Sequence, residues 1–170
     1  MKFYLIIVFS VVFRGIVAQG VMGEIVHASG KLWDKDVHLE TVDLSECTIQ
    51  ELVKQGDQFY TVHSIDNQEL LGYAYSTSAQ GRFEPFDYII LYDTSLTIMQ
   101  VKVYRYRSNH GGAIAGKRWL KQFVGYNTGR LKYGNDIQAI SGATISGISI
   151  VDDINRVQEI VGDMQVAEIN

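Results

Sequence analysis

The sequence is poor in cysteine and in proline. Cys47 is the single cysteine among 170 residues, so an internal disulfide is impossible and a zinc site of the usual cysteine-rich spacing is excluded. Pro85 is the single proline of the chain, and no low-complexity segment separates one part of the chain from another. We therefore expect one domain held together by its apolar core, with Cys47 as a packed thiol.

The chain also lacks an excess of positive charge and a long hydrophobic run. Its formal net charge is −4, which argues against nucleic acid and anionic membrane surfaces as partners. The apolar run over residues 3–13 is broken by Ser10 and ends before Arg14. It is far shorter than the roughly 20 residues that a membrane-spanning helix needs.

This N-terminal segment has the composition of an export signal. Lys2 precedes the apolar run, and the small residues Ala18 and Gly20 follow it. We predict a signal peptide over residues 1–20 and an exported protein, periplasmic or otherwise extracytoplasmic, with an uncleaved membrane anchor as the alternative. Cleavage would remove Lys2 and Arg14 and change the net charge from −4 to −6.

The spacing of apolar residues divides the rest of the chain into strands followed by helices. Residues 21–43 are predicted to be extended and mixed, with core candidates at Ile25, Val26, Val37, Leu39 and Val42. The patterns predict strands over residues 58–64, 70–76, 86–92 and 96–106, and helices over 48–54, over 113–124, and from about Thr144 to Met164. Runs of strands followed by helices favour an α+β fold with a mixed or antiparallel sheet and packed helices.

The most informative stretch is Ser141-Gly142-Ala143-Thr144, directly before the predicted final helix. Small residues let a backbone approach a ligand closely, and the amides of a helix's first turn are free to bind a phosphate. A threonine hydroxyl there can contact that phosphate or be esterified to it. A simpler interpretation, in which Ser141 or Thr144 caps the helix, fits the spacing as well. The sequence has no dinucleotide fingerprint, no nucleoside-triphosphate loop and no hydrolase elbow at this place.

Residues 136–149, DIQAISGATISGIS, resemble the flavinylation motif of the FMN-binding domain family. This family includes the C subunit of the sodium-translocating NADH:quinone reductase and the G subunit of the Rnf complex. Its motif runs roughly Asp-x-x-Ser/Thr-Gly-Ala-Thr, and a magnesium-dependent flavin transferase, with FAD as donor, esterifies the final threonine to the phosphate of FMN. The resemblance implies FMN as cofactor and Thr144 as its attachment point. It assigns the neighbouring site positions to Ser141, Gly142, Ala143, Ile145 and Ser146.

A second stretch resembles the family more loosely. Residues 106–114, here named the glycine loop, are similar to the loop that packs on the flavin ring in that family. The resemblance adds His110, Gly111 and Gly112 to the site. It covers about residues 70–165 and implies an FMN-binding-type domain over residues 21–170. The aromatic candidates for a wall beside the ring are Tyr104, Tyr106 and Trp119, each of which also fits ordinary packing.

Three positions depart from the family pattern. The family motif has an acid three residues before the serine, and in this sequence Gln138 stands at that position before Ser141. The nearest acid, Asp136, lies two residues too early. Ser108 and Ala113 stand in the glycine loop, where relatives often carry an acid. Glutamine can donate and accept hydrogen bonds but supplies neither charge nor a base. A non-covalent FMN site and a flavin-free binding module of the same fold therefore stay open as alternatives.

The resemblance implies an exported electron carrier rather than a free-standing enzyme. Its expected partners are a flavin transferase for attachment, and a membrane redox complex or an extracytoplasmic electron acceptor. A hydrolase or isomerase that uses His110 with a serine is a weaker alternative, because no nucleophile, base and orienting group stand together.

No metal site is predicted, and Asp152 and Asp153 are expected to be a solvated helix start. One basic group fits either an anionic contact or a salt-bridged surface: Lys102, Arg105, Arg107, Lys117, Arg118 and Lys121.

Overall fold

A five-stranded antiparallel sheet lies at the centre of the fold in the computed structural model, which describes residues 20–169. The strands are β1 (Val37–Val42), β2 (Gln58–Ser64), β3 (Leu70–Gln80), β4 (Pro85–Tyr92) and β5 (Ile98–Arg105). They lie side by side in chain order, and each pairs antiparallel with the next. The α+β prediction is confirmed, and the sheet is antiparallel. Residues 1–19 of the predicted signal peptide, which was expected over residues 1–20, lie outside the described residues, and Gly20 is the first residue of helix α1 (residues 20–33).

Helices cover both faces of the sheet. Helix α1 (residues 20–33) packs on one face, and α3 (Thr144–Ile169) packs on the other beside the short helix α2 (Lys117–Leu120). Four 3-10 turns complete the elements: Leu44–Glu46, Gln50–Leu52, Gly112–Ala115 and Lys121–Phe123. Within residues 20–169, no helix combines the length and the apolar character needed to span a membrane.

The nearly unbroken apolar run of β4 is explained by these two layers. Successive side chains of a strand point to opposite faces, so a strand covered on both faces is apolar throughout. Ile89 and Leu91 belong to the core under α1, whereas Tyr88, Ile90 and Tyr92 belong to the core under α3. The last helix carries an apolar stripe whose members are spaced by four, three, four and three in the sequence, which is the pattern that predicts this helix. All of its members are buried in that second core: Ile150, Ile154, Val157, Val161 and Met164.

The extended structure predicted for residues 21–43 is wrong for residues 21–33, which belong to α1. Val21, Ile25 and Ala28, spaced by four and three, are buried against the sheet as one helical face, while the predicted core residue Val26 is 38% exposed. The stripe is short and interrupted by glycines, so its period is weak in the sequence alone. The prediction was right for β1, which holds the buried Val37.

Two of the predicted helices are also wrong in extent. The helix expected over 48–54 is only the 3-10 turn Gln50–Leu52. The helix expected over 113–124 is divided at Gly116, whose ψ of 122° is extended, so a 3-10 turn precedes the single turn of α2. The final helix begins at Thr144 as predicted, and the strands beginning near residues 58, 70, 86 and 96 are confirmed within a few residues.

A buried charge network joins α3 to the sheet and corrects the prediction for Asp153. Its side chain is only 4% exposed and accepts hydrogen bonds from Lys54, from Tyr88 Oη at 2.8 Å and from Arg156 Nε at 2.7 Å. Arg156 also donates from Nη1 to Asp57 Oδ2 at 2.7 Å. Burial and the adjacent Asp153 carboxylate raise the pKa of Tyr88 well above its usual value, so this phenol remains a donor. The sequence predicts a solvated Asp153 because this residue lies off the apolar stripe of the helix.

Candidate functional site

A cavity of about 410 Å³ opens at the N-terminal end of α3. Its volume lies within the range of small-molecule sites, roughly 300–1,000 Å³. We name it the α3 cavity. Its lining residues come from three separate segments: Arg82, His110, Gly111, Gly142, Ala143, Thr144, Ile145 and Ser146.

The α3 cavity brings together most of the residues that the resemblance singled out. His110 and Gly111 of the glycine loop form one side, and residues 142–146 form the other. Two candidates do not line it. Ser141 lies in the exposed turn before the helix, and Gly112 begins the 3-10 turn at the end of the glycine loop. Two stretches that are about thirty residues apart in the chain therefore meet at one place in the fold.

Thr144 stands at the opening of the cavity as the first residue of α3. Gly142 has a φ of +77°, a left-handed conformation that favours glycine, and this turn leads the chain into the helix. Ala143 is buried and fixes the helix start to the core, while the Thr144 side chain is exposed. Within residues 20–169 the hydroxyls of Ser141 and Thr144 make no hydrogen bond, so neither of them caps the helix.

The first amides of α3 point out of the helix end without backbone partners. The first backbone bond across this end runs from Gly147 N to Ala143 O at 2.8 Å. The amides of residues 144–146 precede it and make no backbone bond to any described residue. Together with the positive end of the helix dipole, three such amides beside a cavity can bind an anion such as a phosphate.

Tyr106 connects the two sides of the cavity. Its phenol donates to His110 O at 2.6 Å and accepts from the hydroxyl of the buried Ser146, with the two oxygens 3.2 Å apart. Gly111 lies against this pair with a φ of +82°. A Cβ atom at Gly111 would meet Tyr106 Oη at 2.6 Å and Ser146 Oγ at 3.2 Å. The site therefore favours glycine at this position, both for its backbone conformation and for space.

Arg82 is a lining residue that the sequence analysis missed. It lies in the tight turn between β3 and β4, which is closed by a bond from Gly81 N to Glu84 O at 3.1 Å. Its guanidinium sits 5.2 Å from the ring centroid of Phe83 and forms no salt bridge with any described residue. No motif marks Arg82, because only the register of the β3–β4 hairpin carries it to the end of α3.

The other aromatic candidates have structural positions. Trp119 is buried and donates from Nε1 to Gln138 O at 2.8 Å, so it supports the loop that leads to Ser141. The backbone amide of Gln138 donates to Gln122 Oε1 at 2.9 Å. The side chain of Gln138 is exposed and makes no hydrogen bond with a described residue. Tyr104 packs in the core under α1, on the face of the sheet opposite α3. Only Tyr106 of the three lies beside the cavity.

The basic group predicted from the sequence lies away from the α3 cavity. Lys102 Nζ pairs with Glu24 at 2.7 Å, and Arg107 makes a two-pronged contact with Asp87 at 2.6 and 3.1 Å. Arg105 reaches the same carboxylate at 3.8 Å. These three residues form the salt-bridged surface that was one of the two interpretations. The remaining three, Lys117, Arg118 and Lys121, are exposed beside β5.

The mouth of the cavity has an apolar rim. Phe83 stands beside Arg82 and contacts the His110 ring edge-on at 6.0 Å between centroids. Ile145 and Ile148 project from the first turns of α3, and all three side chains are between 44% and 63% exposed. Large apolar side chains gathered at one opening typically mark a ligand or protein contact.

The lining of the cavity limits its own chemistry. The lining includes the Arg82 guanidinium and two hydroxyl groups but no carboxylate. The described lining residues therefore offer no carboxylate that could act as a base beside Thr144. Within residues 20–169, no cluster of three or more histidine, cysteine, aspartate or glutamate side chains is placed to hold a metal ion. The arginine and the free amides at this opening are suited to binding an anionic group. No protein-family model matches the chain, and a search of curated proteins also finds no match.

Proposed function

We propose that this protein is an exported flavoprotein that holds FMN in the α3 cavity, with the FMN phosphate esterified to Thr144 Oγ1. It carries electrons between a membrane redox complex and an extracytoplasmic acceptor. One observation carries the proposal: the exposed and unbonded Thr144 hydroxyl stands at the opening of a 410 Å³ cavity whose other side is the glycine loop.

The chemistry of the cavity suits the phosphate end of FMN. The free amides of residues 144–146 and the unpaired Arg82 guanidinium supply donors and positive charge on two sides of the opening. Gly142, with open space around the position of a missing Cβ, lets a ligand approach the backbone. The site thus offers a phosphate the three features that recur in phosphate sites: amides, a cation and small residues.

The glycine loop and the apolar rim suit the ring end. A planar tricyclic ring needs an apolar surface and backbone that it can approach closely, which Ile145, Phe83 and Gly111 provide. When bound, the flavin takes up and gives back one or two electrons, and the chain around it supplies position and polarity. The absence of a catalytic carboxylate among the described lining residues fits a carrier better than an enzyme.

The same lining explains why attachment would need a separate catalyst. A threonine hydroxyl is a weak nucleophile at neutral pH, and no carboxylate lines the cavity to take its proton. The flavin transferase supplies that activation in our proposal. A covalent ester then prevents loss of the cofactor in a compartment where little free FMN is present to rebind.

The direct test is the intact mass of the protein after co-expression with an active flavin transferase. Wild-type protein gains the mass of FMN minus one water, and Thr144→Val gains nothing. Thr144→Ser is the matched control, because it keeps a hydroxyl at the same position and stays modified. An unmodified wild-type chain, beside a known substrate that the same transferase does modify, contradicts the ester.

A non-covalent site is the second candidate, and the lack of a carboxylate at the cavity favours it. The family acid has no counterpart among the described lining residues, and Gln138 does not reach the cavity. In that case purified protein quenches the fluorescence of added FMN without any gain in mass. Protein that neither gains mass nor quenches FMN is instead a flavin-free binding module.

A further inference from the structure

We propose that the outer edge of β5 binds an extended, acidic segment of a partner protein by strand addition. This inference concerns a different surface from the α3 cavity and does not depend on the flavin. It rests on an open sheet edge, on a groove that follows this edge, and on the charge of that groove.

The edge of β5 is open over most of its length. β5 is the last strand of the sheet and pairs only with β4. At its start, Ile98 donates to Tyr126 O and accepts from Gly125 N, both at 2.8 Å. Beyond this point, the backbone of residues 99–105 makes no hydrogen bond outside the sheet to any described residue. Unpaired strand groups of this kind are the template on which a further strand is added.

The open edge lies at the bottom of a groove. One stretch, of about 190 Å³, runs between α1 and α2 and is lined by His27, Ala28, Lys31, Gln100, Val101, Lys102, Val103, Ala115, Lys117 and Leu120. The next stretch, of about 260 Å³, continues along β5 towards Lys121 and Val124. The two stretches share Gln100, Val101, Lys117 and Leu120. We name them together the β5 groove.

The β5 groove is positively charged. Four lysines line it: Lys31, Lys102, Lys117 and Lys121. No acidic residue lines either stretch, and the chain between Asp93 and Asp136 contains eight basic and no acidic residues. Lys102 is paired with Glu24, whereas Lys31, Lys117 and Lys121 form no ion pair with described residues. In a chain of net charge −4, this concentration of cations selects a carboxylate-rich occupant.

The occupant we propose alternates acidic and apolar residues. A strand presents successive side chains to opposite sides, so acidic residues can face the lysines while the apolar ones face Val101, Leu120 and Val124. A second copy of this chain is a poor occupant, because edge-to-edge pairing of two β5 strands would bring their lysines together. A polyanion without a peptide backbone would leave the open edge of residues 99–105 unpaired.

Fluorescence anisotropy with the full chain and a labelled Glu-Val repeat peptide tests the proposal. We expect saturable binding that weakens as salt is added. A Lys-Val repeat and a version with proline at alternate positions, which lacks the amide donors, are expected not to bind. Heteronuclear NMR should show the largest shifts at the amides of residues 99–105. Absence of saturable binding, equal binding of the proline version, or shifts confined to other regions overturns the proposal.

A charge-reversal pair assigns the binding to the groove. Lys117→Glu with Lys121→Glu should weaken the Glu-Val peptide about tenfold or more, because both exposed residues line the groove. Arg130→Glu with Lys132→Glu, the matched control at exposed positions that line neither stretch, should change the affinity less than about twofold. Equal loss in both variants overturns the proposal, as does a dimer in light scattering that the peptide fails to dissociate. FMN attachment at Thr144 is expected to be unchanged in all four substitutions, so the two proposals can fail separately.

Discussion

Gly111 shows how much one position contributes to the shape of the α3 cavity. Its φ of +82° is a left-handed conformation, and its missing Cβ leaves room for Tyr106 and Ser146 to meet. We expect Gly111→Ala to lower the free energy of unfolding by about 1–2 kcal/mol for the backbone strain alone. The added methyl group also pushes the Tyr106 phenol aside, so under the proposed function the retention of FMN should fall. Urea unfolding and flavin fluorescence measure the two effects.

Gly112 provides the matched control for that substitution. Its φ is not in the left-handed range, and a Cβ there would meet the Tyr106 ring at 3.6 Å, an ordinary contact. Gly112→Ala should therefore unfold within about 0.5 kcal/mol of wild type and retain FMN to the same extent. If the two variants lose stability equally, the loss comes from a general disturbance of the 3-10 turn Gly112–Ala115 and not from the contact between residue 111 and Tyr106.

Single residues were predicted from the sequence to the extent that a motif contained them. Thr144 and Gly111 belong to two short strings, so their placement near each other followed from the resemblance. Arg82 belongs to no string, and its position depends on the register of β3 against β4. Asp153 was misjudged because a helical period shows which residues face the main stripe but not that a charged network lies beside it.

Asp163 of α3 holds the segment between β1 and β2, in addition to the contacts that Lys54 and Asp57 make with the charge network. Asp163 Oδ2 accepts from Thr48 N at 2.6 Å, and Oδ1 accepts from Thr48 Oγ1 at 2.5 Å. The hydroxyl and the amide of Thr48 stabilise the ionised form and lower the pKa of Asp163 below its usual value. The segment itself contains only 3-10 turns, so this contact, rather than helical bonding, helps to hold it in place.

This contact predicts a pH dependence of stability. Because the pKa is lower in the folded than in the unfolded state, Asp163 stabilises the fold above the unfolded value of about 4. Its contribution is lost as the pH falls through the lower, folded value. We expect the free energy of unfolding of Asp163→Asn to fall less steeply than that of wild type below about pH 4. Urea titrations from neutral to acidic pH measure the two slopes.

Thr48→Val controls for the cause of that shift. It removes the hydroxyl that contributes most to the lowered pKa but leaves the carboxylate in place. Its acid slope should lie between those of wild type and Asp163→Asn, since the Thr48 amide still donates. A slope equal to that of wild type would show that the hydroxyl has no part in the pH dependence.

Elements were predicted best where a period runs without interruption. All four predicted strands exist, because aromatic and β-branched residues alternate or cluster over their whole length. The helix predicted over 113–124 failed at Gly116, since an apolar period does not reveal that one glycine adopts an extended conformation. α1 was missed for the opposite reason: its period is real but contains few residues.

The covering of both sheet faces by helices makes α1 necessary for the stability of the fold. Ile25 is fully buried against the sheet, whereas its neighbour Val26 is 38% exposed. We expect Ile25→Ala to lower the free energy of unfolding by about 2–5 kcal/mol, because it leaves a cavity under the helix. Val26→Ala, next in sequence on the other side of the helix, should change it by less than about 0.5 kcal/mol.

Chemical denaturation of the two variants distinguishes a docked helix from a loosely attached one. If α1 were not part of the cooperative fold, Ile25→Ala would unfold at the same denaturant concentration as Val26→Ala.

The general architecture was predictable, because strands and helices occur in separate runs of the sequence. The apolar run of residues 86–92 also predicts a strand that is buried on both faces, but the sequence does not identify α1 as the helix that covers one of them.

Tyr106 follows the last residue of β5 in the chain, and its phenol closes the contact between the glycine loop and the first turn of α3. The outer edge of β5 therefore ends one residue before the side chain that joins the two sides of the α3 cavity. A partner that displaces the end of β5 also displaces this phenol. For any ligand that binds the α3 cavity reversibly, the ligand and the partner then change each other's affinity by the same factor.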